Sequence, residues 1–179
     1  MTQIVFISGI HGSGKTTLGK KISEEINIPF DSASNIIKTV SSQNWDKYKK
    51  VTDISGNQSK LAKGIAELYA NDNILILDGH FCLLDKDNEV IEIDLKTFQE
   101  IHIKLIICCT ANYHTISKRL SERDQNYKVD LEQIKLFQEK EIEHATEVSN
   151  QLNVPIIFFD AEKNNEGELL NNIKIIGGI

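Results

Sequence analysis

Cysteine, proline and arginine are all scarce in this chain of 179 residues, and positive charge is outnumbered. The three cysteines, Cys82, Cys108 and Cys109, are odd in number, and two are adjacent inside an apolar run. That excludes a disulfide framework and a zinc spacing, and predicts buried thiols in a reducing cytoplasm. Two prolines and ten glycines exclude a collagenous or low-complexity chain. Against 20 Lys and Arg stand 26 Asp and Glu, a net charge of −6. Such a balance lacks the clustered cations that a nucleic-acid backbone requires. No apolar run approaches the roughly 20 residues that span a bilayer. The start, Met1 into Ile4-Val5-Phe6-Ile7, reads as a strand and not as a signal peptide. With 40% hydrophobic residues the chain suits one domain over 1–179 with a sizeable core.

What is present is an alternation of short apolar runs and helical spacings. Ile4 to Ile7, Ile74 to Leu77, Leu105 to Cys109 and Ile156 to Phe159 are too short for typical helices and rich in branched side chains. Lacking strict alternation, they read as strands of a parallel sheet buried on both faces. Ile26 to Phe30 is a weaker fifth run, confined by Pro29 to an edge or a strand start. Leu18, Ile22 and Ile26 predict a helix after the first strand, and Leu61, Ile65 and Leu68 another before the Ile74 strand. A long helix follows from Leu131 to Leu152 with Asp130 as its cap, and a last one from about Glu166 to Ile176. The expected fold is α/β, a three-layer αβα sandwich with a five-stranded, mainly parallel sheet. Residues 81–94 break the pattern: Cys82-Leu83-Leu84 and Val90-Ile91-Glu92-Ile93 flank a polar turn, as a hairpin insertion would.

Directly after the first strand stands Gly9-Ile10-His11-Gly12-Ser13-Gly14-Lys15-Thr16, a G-x-x-x-x-G-K-[ST] motif opening an amphipathic helix. A chance match in this length is below about 1%. Its glycines let backbone N–H groups surround phosphate oxygens, and the helix adds its positive dipole end. Gly9, His11, Gly12, Ser13, Gly14, Lys15, Thr16 and Thr17 are therefore the expected contacts for ATP or GTP. Lys15 reaches the phosphates and the Thr16 hydroxyl ligates Mg²⁺ in this reading.

Asp78 ends the Ile74 strand and is followed by Gly79-His80. Ligands of open α/β sheets sit outside the carboxyl ends of strands, so Asp78 shares an edge with the glycine loop. It is expected either to hold the Mg²⁺ environment and orient an attacking oxygen or to form an Asp-Gly turn. The two arginines, Arg119 and Arg123, fall i, i+4 on one helix face. Their planar forks suit phosphate oxygens, so they form either a phosphate clamp or a solvated helix end. Gln125-Asn126-Tyr127-Lys128 would be the tip of a short lid over 119–128.

The glycine loop, the strand-end Asp-Gly and the R-x-x-x-R segment resemble the P-loop nucleoside monophosphate kinases, most nearly archaeal-type adenylate kinases. The resemblance implies an acceptor held between the helices after strand two. It puts Gly9, Gly12, Gly14, Lys15 and Thr16 on the ATP-phosphate and Mg²⁺ positions, Asp78 on the strand-end acid and Arg119 and Arg123 on the lid. Ser34-Asn35-Ile36-Ile37-Lys38 is similar to the segment carrying the family's acceptor-phosphate arginine, here Lys38. No acceptor-side arginine exists; Lys38, Lys47, Lys49, Lys50, Lys60 and Lys63 are the cations between the loop helix and the Ile74 strand. Phe30-Asp31-Ser32 also looks like the start of the shikimate-kinase acceptor segment, which makes Asp31 a candidate near Mg²⁺ and otherwise a helix cap. Ala33 stands where a second acid would bind substrate hydroxyls.

The expected activity is ATP-dependent transfer of a γ-phosphate to a small acceptor, foremost a nucleoside monophosphate. Asp31, Ser34, Lys38 and His80 are its acceptor-side candidates, with His80 either structural or supporting the site. The alternatives are a kinase of a neutral metabolite or nucleoside and a nucleotide-dependent switch whose hairpin meets a protein partner. Neither a membrane nor a nucleic acid is expected as partner.

Overall fold

A computed structural model describes residues 1–41, 54–123, 130–164 and 166–177. Strand β1 (Gln3–Ser8) pairs in parallel with β3 (Ile74–Asp78) on one side and β6 (Ile103–Thr110) on the other. Strands β2 (Phe30–Ser32) and β7 (Ile156–Asp160) complete a parallel sheet in the order β2-β3-β1-β6-β7. The three central runs look continuously apolar because they pack on both sides. Ile4, Phe6, Leu75, Leu77, Ile106 and Cys108 join one core, while Val5, Ile7, Ile74, Ile76, Leu105, Ile107 and Cys109 join the other. Helix α1 (Lys15–Ile26) closes the second core through Leu18 and Ile22, as α7 (Glu166–Gly177) does through Leu169 and Ile173. Helices α2 (Ala33–Ser41), α3 (Ile54–Leu68) and α6 (Leu131–Leu152) close the first through Ile36, Leu61, Ile65, Ala145 and Val148.

The α/β sandwich expected from the sequence is the observed architecture, and β2 takes the predicted edge. Its start is corrected: Ile26 finishes α1, Asn27 caps that helix in the left-handed region at φ 53°, and the strand begins at Phe30. Pro29 has no N–H to donate, although its carbonyl accepts from Ile76. The hairpin is β4 (Cys82–Leu84) with β5 (Val90–Glu92), its turn held by Asp85 accepting the N–H groups of Asp87 and Glu89. It leads into a short helix not foreseen, α4 (Leu95–Gln99), capped by Asp94. Helix α5 (Tyr113–Arg123) follows β6, and Asp130 caps α6 as predicted by accepting from Glu132 N–H. Lys47, Lys49, Lys50 and the Gln125–Lys128 tip lie outside the described residues.

The three cysteines are unpaired and buried, and burial pushes the thiols of Cys82 and Cys108 up to about 12. Among the described residues, no helix is long and apolar enough to cross a membrane.

Gly19, in the middle of α1, carries a testable packing role. A Cβ there would stand 2.4 Å from Phe30 Cε2 and 2.9 Å from Cδ2. Glycine to alanine inside a helix ordinarily stabilises. Here overpacking reverses the sign, so Gly19→Ala is expected to cost about 1–3 kcal/mol. The check is thermal melting, with Tm falling about 2–4 °C per kcal/mol in a chain of this size.

Candidate functional site

The loop between β1 and α1 is shaped by three glycines with positive φ: Gly9 at 139°, Gly12 at 86° and Gly14 at 99°. At Gly9 a Cβ would meet Cys109 O at 2.5 Å, so this turn accepts no side chain. Lys15 then begins α1 and is buried, with its ammonium 3.8 Å from Asp78 Oδ1. Burial lowers the Lys15 pKa, while Asp78 and Glu141 pull it back up. Thr16 Oγ1 donates to Asp78 Oδ2 at 2.5 Å. The parallel register of β1 and β3, with Ile7 opposite Asp78, brings these residues to one sheet edge. A hydroxyl and a carboxylate so close form the hard oxygen set that Mg²⁺ prefers, beside a loop whose N–H groups suit phosphate.

His11 and His80 stack with ring centroids 4.8 Å apart. Burial first, then the Lys15 charge, lowers both pKa values, that of His80 strongly. Both imidazoles are therefore neutral near pH 7. His80 Nε2 is sealed from solvent without a hydrogen-bond partner.

These residues open onto a cavity of about 820 Å³ that reaches from His11, Lys15 and Thr16 to Asp31, Ser34 and Lys38. Asp31 is held by Tyr69 Oη at 2.6 Å and Asn35 Nδ2 at 2.8 Å. It does not cap α2. Ser32 Oγ accepts from Asn35 N–H instead, at 3.2 Å, because it lies three residues before that donor. Arg119 donates from Nη1 to Gly12 O at 2.8 Å. Arg123, one turn on, is exposed, yet its charge is felt at His11 and Lys15. Ser13 is buried in the loop and Thr17 is exposed.

Sequence reasoning missed Glu141. Only 1% exposed, it accepts from the N–H of Gly9 at 3.1 Å, of Phe81 at 2.9 and 3.0 Å and of Cys82 at 2.7 Å. Burial raises its pKa, opposed first by those N–H groups and then by Lys15. One side chain of α6 thus ties the base of the phosphate loop to the turn after Asp78. The signal was available: Glu141 interrupts the stripe Ile134, Phe137, Ala145 and Val148 at a core position.

The strand order, the glycine loop at the central strand and the Lys15–Thr16–Asp78 cluster define a P-loop kinase. The chain belongs to the AAA domain family, whose model matches residues 8–135. It is similar to the cytidylate kinase of Methanobrevibacter smithii, 24% identical over 152 residues, 82% of this chain and 80% of that one. Cytidylate kinase of Methanosphaera stadtmanae is 30% identical over 80 residues, 42% of this chain and under half of that enzyme's length, 46%. The fold is shared with the shikimate kinase of Acinetobacter baumannii in complex with shikimate, at TM-score 0.58 and 14% identity, covering 98% of this chain and 93% of that one.

Proposed function

We propose that the protein is a single-domain kinase that transfers the γ-phosphate of ATP to a nucleoside monophosphate, with Mg²⁺. The observation that carries this reading is the convergence of Lys15, Thr16 and Asp78 in the lining of a cavity that Asp31, Ser34 and Lys38 also line. Similarity to two cytidylate kinases supports the acceptor class. The unpaired, buried thiols suit a reducing cytoplasm.

Phosphoryl transfer asks for positioning and charge rather than covalent chemistry from the protein. The glycine loop wraps the donor phosphates, and Lys15 places an ammonium against the transferring group. Thr16 and Asp78 hold Mg²⁺, which when bound neutralises charge on the phosphate oxygens. Arg119 and Arg123 add charge from α5. His11 and His80 border the reacting region. Lys38 meets the acceptor phosphate as a point charge.

A second reading is favoured by one observation: no arginine lines the cavity among the described residues. A lysine lacks the bidentate fork for phosphate, so a neutral metabolite or nucleoside is the competing acceptor. The test is ATP-to-ADP conversion with Mg²⁺ across AMP, CMP, GMP, UMP, dTMP and their nucleosides. Turnover is expected with a monophosphate and not its nucleoside, falling about 10²-fold or more in Lys15→Ala. Turnover with nucleosides alone establishes the second reading. ATP binding with silence across the panel overturns both nucleotide and nucleoside acceptors.

A further inference from the structure

Glu92 on β5 and His144 and Glu147 on α6 take no part in lining the cavity beside the phosphate loop. Their ligand atoms, one imidazole nitrogen and two carboxylate oxygens, all lie within 4.8 Å of one another. His144 is 8% exposed, and its ring stands edge-on to Phe81 and Phe98, at 6.2 and 6.4 Å. Nε2 lies 2.7 Å from the carbonyl oxygen of Ile93. A carbonyl only accepts, so Nε2 carries the ring proton and donates it. The neutral ring then aims the Nδ1 lone pair at Glu147 Oε2, 3.4 Å away, and at Glu92 Oε2, 3.8 Å away. Ionised carboxylates are acceptors too, so three lone-pair bearers converge and none supplies a hydrogen. Lys140, one turn earlier on α6, is engaged by Glu143 at 2.7 Å instead.

We propose that Glu92, His144 and Glu147 form a binding site for one divalent transition-metal ion of the Zn²⁺ class. Bonds of about 2.0–2.2 Å around a tetrahedral ion put its ligand atoms roughly 3.3–3.6 Å apart. The observed 3.4 and 3.8 Å are close to that, and small rotations of the two exposed glutamates complete the set. An imidazole that donates its other nitrogen to a backbone carbonyl has its ring and tautomer fixed for a metal. Imidazole with carboxylates suits Zn²⁺, whereas Mg²⁺ prefers oxygen alone. Bound there, the ion ties the hairpin to α6. The tie falls three residues past Glu141, whose carboxylate holds Gly9 at the base of the phosphate loop. The site thus serves the packing of the insertion and leaves phosphoryl transfer to the cluster at Lys15.

The test is a Zn²⁺ titration of the full chain, stripped with a chelator and then freed of it, read by calorimetry and by melting. Wild type is expected to bind one ion per chain, with Tm rising about 5–10 °C at about a hundredfold excess over Kd. Glu92→Gln and Glu147→Gln change exposed side chains, so both variants should fold. Each is expected to weaken Zn²⁺ binding at least about tenfold. His144 stays in place, since its ring also packs on Phe81 and Phe98. Asp78→Asn, at the other candidate metal position, should keep the Zn²⁺ response. Co²⁺ supplies a second readout: its visible absorption bands should intensify on wild type and not on either Gln variant. An absent Tm shift at millimolar Zn²⁺ overturns the proposal and leaves a second ring proton to meet the two carboxylates. Zn²⁺ binding that survives both Gln variants, or that vanishes in Asp78→Asn, overturns it as well.

Discussion

Glu141→Ala is expected to lower stability by about 3–5 kcal/mol, since three buried backbone N–H groups each lose an acceptor at about 1–3 kcal/mol apiece. The N–H groups of Gly9, Phe81 and Cys82 would all lose their carboxylate in an interior where water does not replace it. A melt should show a fall of roughly 6–20 °C. Glu141→Gln is the informative companion. Its amide oxygen still accepts from two of those N–H groups, while its NH₂ faces a third donor. The fold should survive, and turnover should fall about 10²-fold, since small displacements of reacting groups cost that much. Gly9 opens the phosphate loop and Phe81 lies three residues beyond Asp78, so the displaced turn is the one that aims the Asp78 carboxylate at Thr16. Turnover within twofold of wild type in a folded Gln variant would reduce Glu141 to a packing role.

The pH dependence of these variants has a definite sign. Burial holds the Glu141 pKa above its unfolded value. Its contribution to stability is therefore complete below the ordinary carboxylate value and diminishes as pH rises through the folded one. The melting difference between wild type and Glu141→Gln, which does not titrate, should narrow as pH is raised through that window. A difference that widens would show that the three N–H groups outweigh burial.

The sheet was legible because β1, β3 and β6 are apolar on both faces, a pattern that only a covered parallel sheet explains. The phosphate loop was legible because its glycines and Lys15-Thr16 are contiguous. Arg119 could be placed beside the glycine loop because it follows a strand whose carboxyl end lies on the loop's edge. Glu141 could be flagged as a charge at a core position, but what it holds was not legible because its partners are distant in sequence. Glu141 meets Gly9 across 132 positions. Helix α4 was missed because it is five residues long and carries no periodic signal. Asp31 was placed at the strand end either near Mg²⁺ or as a helix cap, and the cap falls to Ser32, which spacing alone does not distinguish from it. Tyr69, which fixes Asp31, directly follows α3, in another part of the chain.

Arg119→Ala is expected to lower turnover about 10²-fold while weakening ATP binding by less than about tenfold. Two effects combine at this residue. Its Nη1 contact to Gly12 O, at 2.8 Å, holds the crest of the phosphate loop, and a charged hydrogen bond of that kind contributes about 1.5–3 kcal/mol. Some of that loss appears as weaker nucleotide binding because Gly12, in the left-handed region at φ 86°, depends on the loop's conformation. The larger loss belongs to the transferring group. A guanidinium with one nitrogen on Gly12 keeps other N–H donors for phosphoryl oxygens, whose charge redistributes in the transition state. Arg119→Lys separates the two effects: it restores charge without the fork, so turnover should recover only in part. Arg123→Ala should also slow turnover and leave ATP binding largely intact, because its guanidinium stands one turn further along α5 than that of Arg119. Single-turnover rates and ATP titrations on the three variants decide the matter. If Arg119→Ala turns over within twofold of wild type, α5 merely props the loop, and the charge on the transferring phosphate is met by Lys15 and Mg²⁺ alone.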